Sequence, residues 1–80
     1  TEVNCRALYL GASEAEIAGA LDKIALTMPE VAFGSYPTFD ADAGYKVKLT
    51  VEHRYRGPVA RALARLEAEL PPGSIVRRGS

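Results

Sequence analysis

The clearest pattern in the chain is a strict alternation of apolar and polar side chains from residue 45 to residue 52. One set is Tyr45, Val47, Leu49 and Val51, and the other is Lys46, Lys48, Thr50 and Glu52. A period of two is typical of a strand that packs one face on a core and turns the other to solvent. A slip of one residue would bury both lysines, so the pattern predicts a strand whose register is well specified.

Two apolar stripes of identical spacing predict two helices. The first stripe starts at Ile17 and the second at Val59, and in each the apolar residues follow at offsets of 3, 4, 7 and 11. A capping box, S-x-x-E beginning at Ser13, precedes the first stripe. Pro58 is expected at the first position of the second helix, which the Pro-Pro-Gly sequence at residues 71–73 ends.

Shorter apolar runs at residues 3–10, 31–36 and 75–76 predict three further strands, and residues 77–80 are predicted to be a polar tail. The shift of 42 residues that relates the two stripes also relates Phe33 to Ile75, so the chain reads as two β-α-β units. Such a doubling predicts an α+β fold of the ferredoxin-like β-α-β-β-α-β type. We expect a four-stranded antiparallel sheet, in the order 4-1-3-2, with both helices on one face. The run at residues 31–36 is then an edge strand.

The repeat also assigns the faces of the first strand. Under the same shift, Val3, Cys5, Ala7 and Tyr9 correspond to Tyr45, Val47, Leu49 and Val51, and they are predicted to face the helices. The alternate side chains are then predicted to lie on the open face of the sheet, opposite the helices. Leucines among charges on an open face are a candidate interface. The predicted interface residues are Arg6, Leu8, Leu10, Lys46 and Lys48.

Composition narrows the class of protein. Eighty residues make one domain, residues 1–80, and ten basic side chains balance ten acidic ones. That balance argues against a general nucleic-acid or membrane-surface binder, so neither partner is expected. The single cysteine, Cys5, excludes an internal disulfide, and no apolar run reaches the roughly 20 residues of a membrane span, so we predict a cytoplasmic location. Because the chain opens on Thr1, we expect a segment excised from a larger protein.

Residues able to carry chemistry are few. His53 is the only histidine and has no partner nearby in sequence, so we interpret it as a solvated residue at a strand end. Cys5 is predicted to pack in the core. Asp40 and Asp42 lie in a loop without the further oxygen ligands that a cation needs. The sequence therefore predicts no catalytic residue, no metal site and no cofactor.

Two binding sites are weaker alternatives. Arg6, Lys46 and Lys48, with Tyr36 nearby, resemble the basic, aromatic sheet surface of RNA-binding domains, but no exposed aromatic side chain is predicted at its centre. A small anionic ligand could instead bind at residues 11–13, before the start of the first helix, or near the stretch at 34–36.

Three segments carry a family resemblance: V-A-F-G-S-Y-P at residues 31–37, Y-K-V-K-L-T at 45–50 and L-P-P-G-S at 70–74. In this order they resemble the segment that follows the molybdopterin-binding-like domain in the competence/damage-inducible protein A family. They are especially similar to that segment in eukaryotic-type FAD synthases. The matching family motif is Gly34, Ser35, Tyr36 and Pro37.

The resemblance implies which kind of larger protein contains this segment. It assigns no chemical role to these residues. In the family, the preceding domain holds the nucleotide-handling site, and none of its Gly-rich or acidic motifs occurs here. Nucleotide pyrophosphate hydrolysis or FAD metabolism would then belong to the parent chain. We therefore expect a non-catalytic accessory domain that packs against the parent molybdopterin-binding-like domain or forms a homo-oligomer. The alternative is a regulatory domain that binds a small ligand such as a nucleotide.

Overall fold

The computed structural model describes residues 3–79, and residues 1, 2 and 80 of the predicted domain lie outside the described part. Its elements follow in the order β1 (Asn4–Leu10), α1 (Glu14–Thr27), β2 (Ala32–Pro37), β3 (Val47–His53), α2 (Arg56–Glu69) and β4 (Ile75–Gly79). The predicted ferredoxin-like α+β class is confirmed.

The four strands form one antiparallel sheet in the order β2-β3-β1-β4. This is the predicted order, and β2 is an edge strand as expected. Pro37 ends β2, where a residue without a backbone N–H is tolerated because no further strand pairs on that side. The pairing of β1 with β4 is irregular between Tyr9 and Leu10, where the register shifts.

The core lies between the sheet and the two helices. The largest fully buried side chains are Leu8, Leu10, Ile17, Ile24, Leu49, Leu66, Val47 and Val51. Phe33 and Ile75, which the repeat relates to each other, are both partly buried against this core. Within residues 3–79, neither helix is long and apolar enough to cross a membrane.

The start of α1 is fixed by the predicted capping box. The side chain of Ser13 accepts a hydrogen bond from the Glu16 backbone N–H, at 3.3 Å, and the Glu16 carboxylate accepts one from the Ser13 backbone N–H, also at 3.3 Å. Two backbone donors that have no partner within the helix are satisfied in this way.

Three predicted boundaries are wrong. The second helix begins at Arg56 and not at Pro58, because the first turn of a helix tolerates a residue that lacks an N–H donor. β3 begins at Val47, two residues later than the alternation suggested. β4 continues to Gly79, so Arg77 and the arginine after it belong to a strand and not to a polar tail.

The predicted faces of β1 are also wrong. Leu8 pairs with Leu49, and Leu10 pairs with Val47. Directly paired residues of an antiparallel sheet point to the same face, so both β1 leucines face the helices. They are 2% and 0% exposed. Three residues that were predicted to face the helices are therefore on the open face: Cys5, Ala7 and Tyr9.

The reason is a difference of one residue between the two halves of the chain. Leu10 precedes the first stripe residue, Ile17, by seven positions, whereas Val51 precedes Val59 by eight. A shift of 42 residues relates the helices, but the strands are related by 41. Because side chains alternate along a strand, one residue of error exchanges the two faces.

Candidate functional site

Four side chains form a straight row across the open face of the sheet. Tyr36 of β2 pairs with Lys48 of β3, Lys48 pairs with Tyr9 of β1, and Tyr9 pairs with Arg77 of β4. Rings and cations therefore alternate from one edge strand to the other. With strands about 4.8 Å apart, the row is about 14 Å long. We call it the tyrosine–cation row.

The ring of Tyr9 is the centre of this arrangement. The Arg77 guanidinium lies 4.2 Å from the Tyr9 ring centroid, and the Lys48 ammonium lies 5.8 Å from it. The ring of Tyr45 packs edge-on against Tyr9, with 4.9 Å between centroids. Cations this close to a ring are attracted by its negative face. Tyr9 is thus held by an aromatic neighbour and by two cations that remain at the surface.

A second row, two residues along each strand, contains only small side chains: Gly34, Thr50, Ala7 and Gly79. We call it the small-residue row. A Cβ atom added to Gly34 would lie 2.8 Å from the ring of Tyr36, and one added to Gly79 would lie 3.2 Å from the ring of Tyr9. The two tyrosine rings therefore lean over glycines of the edge strands. The rings thus cover both ends of the small-residue row, and Ala7 within the row is 1% exposed.

Most of the residues predicted to form an interface do not lie together on the open face. Leu8 and Leu10 belong to the buried core, as described above. Arg6 pairs with Val51 and so lies on the face of the helices. Lys46 precedes β3 and borders a cleft beside the start of α1. Of the five predicted residues, Lys48 is on the open face as expected.

The Gly-Ser-Tyr-Pro motif is explained by its place on the edge strand. Gly34 makes room for the ring of Tyr36, which is 58% exposed. The hydroxyl of Ser35, on the opposite face, donates to the Glu14 carboxylate of α1 at 3.1 Å. Pro37 ends the strand. These contacts are structural, and among them only Tyr36 presents a large side chain to the open face.

Cys5 also lies on the open face, directly opposite Glu52, and not in the core where it was predicted. Burial raises the pKa of the Cys5 thiol, and a hydrogen bond to Glu52 and the charge of that carboxylate raise it further, while Lys48 lowers it. A raised pKa keeps the sulfur protonated near neutral pH, and the protonated thiol is a poor nucleophile.

We expect Cys5 to react with iodoacetamide at a rate whose pH midpoint lies above that of an unperturbed cysteine. Replacing Glu52 with Gln should move that midpoint to lower pH, because the thiolate then no longer faces a negative charge. The measurement is the alkylation rate against pH for both proteins. Glu30→Gln, at an exposed position, serves as the control, and an equal shift in that variant would contradict the assignment.

The remaining sequence candidates have local structural roles. The Nδ1 atom of His53 accepts a hydrogen bond from the Tyr55 backbone N–H at 3.0 Å, within the turn before α2. The Asp40 carboxylate accepts one from the Asp42 backbone N–H at 2.9 Å, within its loop. In the described part of the chain, no group of three His, Cys, Asp or Glu side chains is placed to hold a metal ion.

The start of α1 is poorly suited to the anion that was considered there. The Gly11 backbone N–H donates to the Ser74 carbonyl at 2.7 Å, and the Ser13 N–H donates to the Glu16 carboxylate. Donors that already have partners cannot bind a phosphate. The carboxylates of Glu14 and Glu16 in the first turn would also repel one.

A second exposed feature is the loop between β2 and β3. The Phe39 side chain is 97% exposed. It borders two surface clefts, one of which contains Pro37 and Ala15 beside the start of α1 and has a volume of about 350 Å³. An apolar ring fully in water, next to a cleft, is a candidate contact for another protein surface.

Sequence reasoning missed Tyr9, Tyr45 and Arg77 as members of a common surface. The two tyrosines were assigned to the face of the helices, and Arg77 was assigned to a tail. One signal could have corrected the first error, namely the extra residue between Val51 and Val59. The positions of Tyr9 and Arg77 on one surface follow from the register of the strand pairs, which the sequence does not reveal.

One comparison with known proteins identifies a related family. A family model described as "FAD synthase, middle domain" matches residues 2–79. The match covers nearly the whole chain, including the first strand and helix, where the sequence resemblance rested on pattern alone. It supports the FAD-synthase side of that resemblance and does not extend to the competence/damage-inducible protein A family.

Proposed function

This chain belongs to the FAD synthase middle-domain family, and we propose that it is a non-catalytic accessory domain of an FAD-synthase-related protein. In this proposal the domain packs against a neighbouring domain of the same polypeptide, and any FAD-metabolising chemistry belongs to other parts of that polypeptide. The family match carries the proposal. The isolated positions of Cys5 and His53, each engaged in a local contact, are consistent with it.

The β2–β3 loop offers a contact surface for such packing. Phe39 is almost fully exposed, and Tyr36 and Pro37 extend the exposed apolar surface toward the end of β2. An aromatic side chain that fills a pocket on a partner is a common anchor of a protein interface. Lys46, which borders the same cleft as Phe39, adds one charge at its rim. We name residues 37–39 and 46 the loop surface.

Amide hydrogen exchange tests this proposal. In a full-length FAD-synthase-related polypeptide that contains the domain, amides of residues 38–46 should exchange more slowly than in the 80-residue chain. Burial against a neighbouring domain would cause this protection. Replacing Phe39 with Ser in the full-length polypeptide should remove most of the protection, because it deletes the proposed anchor.

Leu26→Ser is the matched control, because Leu26 is also exposed, at 83%, but lies on α1 away from the loop surface. It should leave the protection unchanged. Equal exchange in the full-length polypeptide and the isolated chain would refute packing through this loop. If light scattering detects a dimer of the 80-residue chain and Phe39→Ser abolishes that dimer, the partner of the loop surface is a second copy of the chain and not a neighbouring domain.

A further inference from the structure

We propose that the tyrosine–cation row is a binding site for a free nucleotide, that is, a planar base that carries phosphate. The proposal concerns the open face of the sheet and does not depend on packing through the loop surface. It draws on three features of the row: the exposed ring of Tyr36, the two cations and the position of Arg77.

The first feature is the ring of Tyr36. It is 58% exposed, whereas Tyr9 is only partly exposed, so the Tyr36 ring is the one in the row that a planar base can readily reach. Contacts between bases and aromatic side chains are the main source of affinity on sheet surfaces that bind nucleotide bases.

The second feature is the charge. The row holds Lys48 and Arg77 and no carboxylate. The ion pairs found within residues 3–79 involve Lys23 and Arg78, so neither cation of the row is neutralised by one. The contrast between adjacent residues is informative, since Arg78 pairs with Glu67 on the face of the helices while Arg77 lies over Tyr9. Two unneutralised cations, one on each side of Tyr9, suit the phosphates of a ligand whose base contacts the ring of Tyr36, beside Lys48.

The third feature is the geometry of Arg77. Its guanidinium lies 4.2 Å from the Tyr9 ring centroid, and no ion pair found within residues 3–79 engages it. A guanidinium has five N–H donors, so donors remain for phosphate oxygens. Tyr9 thus positions a phosphate-binding group.

The balanced net charge of the chain does not argue against this site. That balance is a sum over the whole surface, whereas a small ligand experiences the few charges around it. The sequence-based objection was that no exposed aromatic side chain lies at the centre of the sheet. It is weakened because Tyr9, which is partly exposed, lies on β1, a central strand.

Isothermal titration of the 80-residue chain with ADP, combined with amide chemical-shift mapping, tests the proposal. ADP should bind, and the shifts should lie on the tyrosine–cation row and the small-residue row. Lys48→Gln and Arg77→Gln should each weaken binding by about tenfold, as expected for the loss of one hydrogen bond to a charged group. Arg65→Gln, on the exposed side of α2, is the matched control and should change the affinity less than about twofold.

The contribution of the ring is tested with Tyr36→Leu, which keeps an apolar side chain and should weaken ADP binding by about tenfold or more. Tyr36, Lys48 and Arg77 all lie outside the buried core, so the three variants should keep the fold. Adenosine and inorganic pyrophosphate should each bind more weakly than ADP, because each lacks one half of the recognised ligand. Phe39→Ser should leave ADP binding unchanged, which separates this proposal from the proposed function.

Absence of ADP binding, or shifts confined to residues 11–16, would overturn the assignment. Pyrophosphate that binds as tightly as ADP would show that the rings contribute nothing and would likewise refute it. If a short single-stranded RNA binds to the row far more tightly than ADP does, the ligand of this site is nucleic acid and not a free nucleotide.

Discussion

Replacing Leu8 with Ala will reduce the free energy of unfolding by about 2–5 kcal/mol, the range observed when a large buried side chain is truncated. Leu8 is 2% exposed and lies opposite Leu49 in the middle of the core. A domain of 80 residues has a total stability of about 4–12 kcal/mol, at roughly 0.05–0.15 kcal/mol per residue. This single change therefore removes a large fraction of the stability, and the most severe outcome is an unfolded protein at 37 °C.

Urea unfolding followed by circular dichroism measures the effect. Leu26→Ala is the control, since it is the same substitution at a side chain that is 83% exposed in α1. It should change the stability by no more than about 0.5 kcal/mol, as is usual for surface positions. If Leu8→Ala cost as little as Leu26→Ala, the leucine would be at the surface, and the faces of β1 would be those that the repeat predicted.

Replacing Gly34 with Ala will destabilise the domain, although alanine is ordinarily the better strand residue by about 0.5–1 kcal/mol. The added Cβ would lie 2.6 Å from the Thr50 hydroxyl oxygen and 2.8 Å from the ring of Tyr36. Both side chains would have to move, and such overpacking costs about 1–3 kcal/mol. The cost of overpacking exceeds the gain from alanine, so the net effect is a loss of stability. Thermal and urea unfolding provide the measurement.

Gly19→Ala gives a control of opposite sign. No atom lies within 4 Å of a Cβ built at Gly19, which is in α1, so alanine should stabilise the domain by about 1 kcal/mol. A double-mutant cycle identifies the cause at Gly34. In a Tyr36→Ala background the ring is absent, so Gly34→Ala should cost less than in the natural chain. Equal costs in the two backgrounds would mean that Tyr36 does not lie over the glycine.

The order and type of the elements could be predicted from the sequence because their signals are local. The alternation around Val47, the stripes that begin at Ile17 and Val59, and the capping box at Ser13 each depend on neighbours within a few residues. The edge position of β2 followed from the fold class and agreed with Pro37 at its end.

The faces of β1 could not be predicted in the same way because both sets of its side chains are apolar. Cys5, Ala7 and Tyr9 on one face are scarcely more polar than Leu8 and Leu10 on the other, so no local contrast selects the buried set. The choice depended on aligning the two halves of the chain. It failed because the spacing from Val51 to Val59 is one residue longer than the spacing from Leu10 to Ile17.

The tyrosine–cation row could not be predicted from the sequence, for a different reason. Tyr36, Lys48, Tyr9 and Arg77 come from four strands and have no regular spacing along the chain. Only the register of three strand pairs brings them into line. Lys48 and Tyr36 were recognised as candidates because they lie in segments with a clear pattern. Arg77 was missed because it was assigned to a polar tail.

The irregular pairing between β1 and β4 has a consequence for how the domain behaves at high concentration. A regular edge strand offers a row of backbone groups to which another chain can add, and this is a common route to aggregation. In β4 the register shift interrupts that row, and Arg77 on one face and the ion pair of Arg78 with Glu67 on the other place charged groups on both sides of the strand. At the opposite edge, Pro37 limits growth from β2. Both borders of the sheet thus resist fibril-like stacking, which lets the domain keep a flat, ring-bearing face without becoming prone to polymerise.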